Sequence, residues 1–436
     1  MLTARDQLLI LISSPVYAAM IGVELLLSNA RSRAAYTWKD TLQNIYLNLL
    51  NAGLDLVFRS VYVGVFLTFF YNHRLAGPIL TPWVYWLVLV LFEDFMYYWL
   101  HRVDHSVRLF WATHVTHHSS THFNFTVGIR SSVLEPLYRF VYFIPLALCG
   151  FHPLDIAFVY AVTQTWGILV HTERINRLGW LEYILVTPSH HRVHHAINKE
   201  YIDKNLSQIF IIWDKLFGTF QRELPEAPPV YGITRPVHTW NPILINFQHL
   251  WLMMQDAWRT ASWKDKLSLW FRPTGYRPPD VIERYPVYKI EDVFHFPKYA
   301  PAASTVLRAW SWVQMVCTLL LVSYLFANIA AIKQIHPAYI FWYGAFVFLT
   351  VFAMTELMDR KRLAAFWEGL RGTLGMGLLV YQGDWFGAGK TFGPAPYLVG
   401  AYLLISFGMA SWFTIRHARE DKQSSPGLAG SATPVH

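Results

Sequence analysis

The sequence predicts an all-α, polytopic membrane protein folded as a bundle of transmembrane helices, and three observations predict it. Only 15% of residues are charged and 54% are hydrophobic, whereas soluble domains carry about 25% charged residues. The apolar residues gather in runs close to the ~20 residues that a helix needs to cross hydrocarbon. Of 19 histidines, 11 lie between residues 101 and 195, many at the i, i+3 and i, i+4 spacings that share one helix face.

In chain order, the runs predict spans near 7–28, 45–71, 79–100, 134–151, 153–170, 304–332, 337–357, 363–381 and 396–415. The first is too long in its apolar core for a cleaved signal and is read as a retained span. The fourth and fifth are short and joined by GFHP, which suits a helical hairpin as well as two crossings. Between 171 and 303 charged and polar residues appear throughout, punctuated by PEAPP and RPP, so this region faces water, with WNPILINFQHLWLMMQDAW suited to lie along the interface. The resulting organisation is N-terminal spans (1–78), a histidine-bearing region (79–222), a water-facing segment (223–303), C-terminal spans (304–415) and a disordered tail (416–436). The two cysteines, Cys149 and Cys317, lie in apolar stretches and offer neither a disulfide framework nor thiolate ligands.

The net charge of +8 comes with no Lys/Arg block long enough to track a phosphate backbone, so no nucleic acid partner is expected. The excess is read instead as charge facing an anionic leaflet. Placing Arg31, Arg33 and Lys39 in the cytosol puts 101–133, 171–303, the Arg360-Lys361-Arg362 cluster and the 416–422 segment there too. The opposite side keeps Arg5, Arg74, Lys333 and Lys390. Every histidine motif then falls on the cytosolic side.

His101 and His105 form HxxxH; His114, His117 and His118 form HxxHH, and His191, His194 and His195 repeat it. Eight such imidazoles exceed what one tetrahedral ion takes and point to two metals. Imidazole suits zinc, copper, iron and nickel. Open positions, no cysteine ligands and a bilayer setting favour non-haem iron and dioxygen. The soluble di-iron pattern of Glu plus Glu-x-x-His is absent. His171, after the fifth run, is a candidate ninth ligand. Solitary histidines (His73, His152, His238, His249, His295, His336 and His417) are read as ordinary interfacial or hydrogen-bonded residues. Asp94, seven residues before His101, is expected to hold an imidazole N–H and fix its tautomer; a bond to Tyr97, Tyr98 or a neighbouring helix is the alternative. His122 and His190 fall outside the repeated spacing and are expected to stand behind the ligands.

The stretches DFMYYWLHRVDH, LFWATHVTHHSSTHFNFT, HTERI, TPSHHRVHHAINKEYIDKN and IWDKLFGTF resemble the fatty acid hydroxylase/sterol desaturase superfamily over roughly residues 85–222. The resemblance implies an integral membrane, non-haem di-iron oxygenase acting on a lipid. It also implies His101, His105, His114, His117, His118, His171, His191, His194 and His195 as ligands of two iron ions. Some members carry a further histidine four residues before the His171 position; this chain has Gly167 there. The flanks TRPVHTWNPI and DAWRTASWKDKLSLWFRPTGYRPPD, with the C-terminal spans, are similar to the alkylglycerol monooxygenase branch. That similarity implies hydroxylation next to a glyceryl ether oxygen and tetrahydrobiopterin as reductant, although no residue pattern here shows a pterin. The partners so implied are a membrane lipid, dioxygen and a reductant whose identity, soluble or protein, stays open. A sterol desaturase or another lipid hydroxylase is the alternative within the superfamily. A metal transporter is the distant rival, disfavoured because transporters bind near the midplane on broken helices while these histidines sit at span ends.

Overall fold

The computed structural model describes residues 17, 19–28, 35–75, 77 and 81–424. Among them there is no strand, only helices and three isolated β-bridges. Five helices among the described residues are long and apolar enough to cross a membrane, where the sequence suggested nine over the whole chain. The protein is therefore a multi-pass membrane protein. The expected 134–151 span is instead a series of short helical pieces, Glu135–Leu137, Arg139–Phe143 and Ile144–Leu148. Pro136 and Pro145 explain the breaks, because proline lacks the N–H that a continuing helix needs. Much of the expected 7–28 span lies outside the described residues; Ala19–Ser28 is a short apolar helix.

The chain forms two compact units, Met1–His238 with Leu244–Lys298, and Thr239–Ile243 with Tyr299–His436. In the first, α1 (Trp38–Asn72) passes through a π-helical stretch at Tyr62–Leu67. Helix α2 (Pro82–Ser106) opens with proline at its first position, where the missing N–H costs nothing. It stops at Val107, whose extended backbone (φ −111°, ψ 125°) turns the chain straight into α3 (Arg108–His118). Helices α2 and α3 pack together. The turn is held from outside: Arg108 N donates to the Arg272 carbonyl at 2.9 Å and Thr274 N to the Ser106 carbonyl at 3.2 Å. Helix α4 (Pro153–Leu169) has 17 residues and packs on α2. Between them Leu89, Phe140, Phe143, Ile156 and Tyr160 form a buried core. Short helices α5 (Pro188–His194) and α6 (Ile212–Phe217) follow, then α7 (Pro242–Arg259) and α8 (Trp263–Ser268). Helix α7 presents Trp251, Met254 and Trp258 outward, as an amphipathic interfacial helix does.

In the second unit α9 (Thr305–Ile335), α10 (Tyr339–Met358), α11 (Ala364–Gln382) and α12 (Ala395–Ser424) pack in sequence. Helix α11 carries Glu368 and Arg371 within its apolar run and is not among the five spans. These two residues pair with each other, and Arg371 also donates to Tyr402 at 2.9 Å. Gly375 permits the close approach of α10 and α12, since a Cβ there would stand 2.8 Å from both Phe346 and Leu403. Helix α12 continues to Ser424, so residues 416–424 are helical where the sequence suggested a disordered tail; 425–436 lie outside the described residues.

Candidate metal centre

The last two turns of α2 present His101 and His105, and the last two turns of α3 present His114, His117 and His118. The break at Val107 folds one stripe against the other. His171 follows α4, and α5 supplies His191 and His194 with His195 capping its end. These nine imidazoles fall into two groups. His101, His105, His114, His118 and His194 form one, and His117, His171, His191 and His195 the other. Within each group the candidate donor atoms all lie within 4.8 Å of one another. All nine except His117 are buried.

The donor geometry fits metal ions. The Nε2 atoms of His171, His191 and His195 make a triangle with sides of 3.0, 3.1 and 3.2 Å. His117 Nε2 stands 3.3 Å from that of His171. In the other group His114 Nε2 is 3.0 Å from His101 Nε2 and 3.2 Å from His118 Nε2. Two nitrogens bound to one cation at ~2.1 Å stand about 3.0 to 3.4 Å apart at octahedral or tetrahedral angles. Hydrogen bonding alone does not account for the triangle: each Nε2 carries either a proton or a lone pair, so at least one side joins two donors or two acceptors.

The opposite ring nitrogens decide which lone pairs face inward. Nδ1 of His101, His117, His171 and His194 lies 2.7, 2.9, 2.7 and 3.0 Å from the carbonyls of Leu206, Arg130, Gly167 and Lys204. A carbonyl only accepts, so each Nδ1 carries the proton and each Nε2 offers a lone pair. Nδ1 of His105 lies 3.1 Å from Asp203 Oδ1. Nε2 of His105 and of His194 have no hydrogen-bond partner among the described residues. Burial, reinforced by neighbouring imidazoles, pushes His114, His118, His191, His194 and His195 well below the ordinary histidine value. His171 is lowered likewise, and His117 is lowered to about 4, burial being the main cause. All of these are neutral at neutral pH, the protonation state that a ligand requires.

Neighbouring segments hold this arrangement. Residues 203–206 give acceptors to three histidines of the first group. That loop is fixed by Asp214, which accepts from Leu206 N at 2.7 Å, Ser207 N at 2.9 Å and Thr219 Oγ1 at 2.6 Å. Arg130, 1% exposed, donates to the Thr116 carbonyl, Gln43, Asn44 and Ser119, tying α1 to the end of α3. Gly128 is required beside His171: a Cβ there would meet His171 Nδ1 and the Ile168 backbone, each at 3.1 Å. Gly167 leaves room for Gln208, whose Nε2 would lie 3.2 Å from a Cβ at that position.

One expectation needs correction. Asp94 holds no imidazole. It accepts from Ile209 N (2.8 Å), Phe210 N (3.0 Å) and Trp213 Nε1 (2.9 Å), and so clamps the segment after the 203–206 loop onto α2. His122 lies outside both groups, with its Nδ1 3.5 Å from Thr121 Oγ1. His190 also lies outside them: its ring meets Phe220 edge-on, 5.7 Å between centroids, and lines a separate cavity with Glu182 and Lys215. Sequence reasoning missed Asp203, the carbonyl acceptors and Asp104, whose Oδ2 lies 3.9 Å from His114 Nδ1. It also missed Gln164, Ser207 and Gln208. These line a cavity of about 50 Å³ that His101, His117, His171 and His191 share, and each has a buried polar atom with no partner among the described residues. Nothing in local spacing signals any of them.

Fold and site together define a polytopic helical membrane protein built around a polyhistidine centre. Residues 86–219 match the fatty acid hydroxylase family. The human alkylglycerol monooxygenase is 34% identical over 411 residues, covering 92% of this chain and 87% of that protein. The Xenopus tropicalis alkylglycerol monooxygenase is 32% identical over 365 residues, 83% of this chain and 80% of that protein. A Delta(7)-sterol 5(6)-desaturase of Gibberella zeae is 28% identical over 157 residues, 34% of this chain and 45% of that protein. No solved structure matches. The chain belongs to the alkylglycerol monooxygenase family, within the fatty acid hydroxylases, and is an oxygen-dependent oxidoreductase.

Proposed function

We propose that the nine histidines hold two iron ions, one in each group, and that the protein hydroxylates the ether-linked carbon of alkylglycerols. The hemiacetal so formed collapses to a fatty aldehyde and glycerol. The carrying observation is the pair of imidazole groups, four of whose rings are held by carbonyls with Nε2 free to bind a metal. The ether-lipid assignment is supported by similarity across most of the chain to proteins named for that substrate. When bound, the irons supply the redox chemistry that activates dioxygen.

The protein's own residues orient and protect. Carbonyls of Gly167, Arg130, Lys204 and Leu206 hold four rings in one tautomer. Tyr97 on α2 and Ile168 on α4 line the small cavity, so a lipid carbon approaching from the apolar helices meets both groups. Gln164, Ser207 and Gln208 offer unpaired polar atoms there, suited to an ether oxygen or glycerol hydroxyl. Phe123 lies over His171, 5.4 Å between centroids, and covers one face of that ring. The Lys/Arg asymmetry supports a cytosol-facing centre, and resemblance supports tetrahydrobiopterin as the reductant. The test is to supply iron-loaded protein with an alkylglycerol, dioxygen and reduced pterin and to measure long-chain aldehyde. His117→Ala should abolish it while the protein stays folded in the membrane. Aldehyde release undiminished in that variant would refute the ligand assignment, and a sterol or acyl product would refute the substrate.

A further inference from the structure

Another cavity, of about 310 Å³, shares no lining residue with the small one. His105 and His118 line it, together with Arg108, Arg235, Arg277 and His249. Asp256, fully buried, accepts from Arg277 Nη2 at 2.7 Å and Nε at 3.0 Å, and from Arg108. Lys289 and Asp203 also line the cavity, so four cationic side chains stand against two carboxylates, which leaves two positive charges unmatched. Arg108 Nη1, Arg235 Nη1 and His249 Nδ1 are all buried and have no hydrogen-bond partner among the described residues. Buried cations without counter-charge are costly, as are buried donors without acceptors.

We propose that this cavity is an oxyanion site for a phosphate group, bound by Arg235, Arg108 and His249. Guanidinium forks match phosphate oxygens in pairs, and a phosphate monoester carries about −1.5 to −2 near neutral pH, which offsets the excess. The phosphate arrives either as the headgroup of a lysolipid or free in water; the recognising chemistry is the same. Trp111, which also lines the cavity, has its ring 5.0 Å from that of His105 and 5.5 Å from that of His118. A ligand anchored on the arginines therefore lies against the wall of the first histidine group. That consequence rests on the function proposed above, whereas the site itself does not.

The test titrates full-length protein, as purified in detergent, with inorganic phosphate, a 1-O-alkylglycerol 3-phosphate and a neutral 1-O-alkylglycerol, and follows heat of binding. Phosphate-bearing ligand is expected to bind more tightly than neutral lipid. Arg235→Gln should weaken it by about tenfold or more and leave the neutral lipid unaffected. His249→Gln provides a second, smaller loss should Arg235→Gln fail to fold. Tight binding of inorganic phosphate alone identifies a soluble source; tight binding of the lipid phosphate only identifies a headgroup. Either result upholds the site. Equal affinity for phosphate and neutral ligands, or phosphate affinity indifferent to both substitutions, overturns it. No turnover is measured, so failure here is distinct from failure of the oxygenase reading.

Discussion

His118 and His195 stack ring on ring, with 4.3 Å between centroids and 23° between planes, although they belong to different histidine groups. The two halves of the centre thus share a wall. His118→Ala removes a donor from the first group and the support of His195 in the second, so metal bound per chain should fall for both ions. His105→Ala, whose ring has no such partner in the second group, should lower only the first. Metal analysis of the purified variants checks this; equal losses in both would show that the stack does not connect them.

Gly128→Ala acts on the second group alone. The added methyl would crowd His171 Nδ1 at 3.1 Å and the Ile168 backbone at the same distance, and backbone cannot yield as a side-chain tip does. His171 should lose its bond to the Gly167 carbonyl and turn away. The variant is expected to keep one metal and lose the other, read as a halved metal content with an unchanged membrane yield.

Asp203 reaches His105 from a backbone with φ +58°, a conformation that asparagine tolerates and alanine resists. Asp203→Asn keeps an acceptor and removes a charge; Asp203→Ala removes both and adds strain. Losses of outer partners typically cost 10–100-fold in metal affinity. Competition with a chelator should place Asp203→Ala about tenfold or more below the parent and Asp203→Asn between the two.

Acid should release the metals before it unfolds the spans. His117 is lowered from its ordinary 6.5 to about 4, and its buried neighbours outside the spans shift in the same direction. The unfolded chain therefore binds more protons between those two values, so native stability is full above about 6.5 and declines as pH falls towards 4. Protons and metal compete for the same nitrogens. Melting temperature followed from pH 7 to 4 should fall for metal-free protein. The metal-loaded form should hold until the ions leave and then drop to the metal-free curve.

The paired motifs were legible because HxxxH and HxxHH write a helix stripe directly into the chain, and the structure uses both stripes as spaced. The grouping was not legible. His117 and His118 are neighbours in sequence yet serve different groups, since adjacent helical residues point about 100° apart. Asp94 was misread because its partners are backbone amides 115 and 116 positions away, and amides leave no signature in composition. The same holds for the carbonyls behind His101, His117, His171 and His194. Span number was overestimated where proline broke an apolar run, at 134–151, and where Glu368 and Arg371 interrupt α11. His249 looked solitary in sequence; its setting among Arg108, Arg235 and Arg277 exists only after α7 folds back.

The clasp of Asp94 on Ile209, Phe210 and Trp213 sets a timetable for biogenesis. Helix α2 enters the bilayer more than a hundred residues before its clasping segment leaves the ribosome. Until Trp213 arrives, the 203–206 loop is not anchored to α2, and His101, His105 and His194 lack their fixed acceptors. Assembly of the histidine groups must therefore come after translation of this region is finished, on a chain already seated in its membrane.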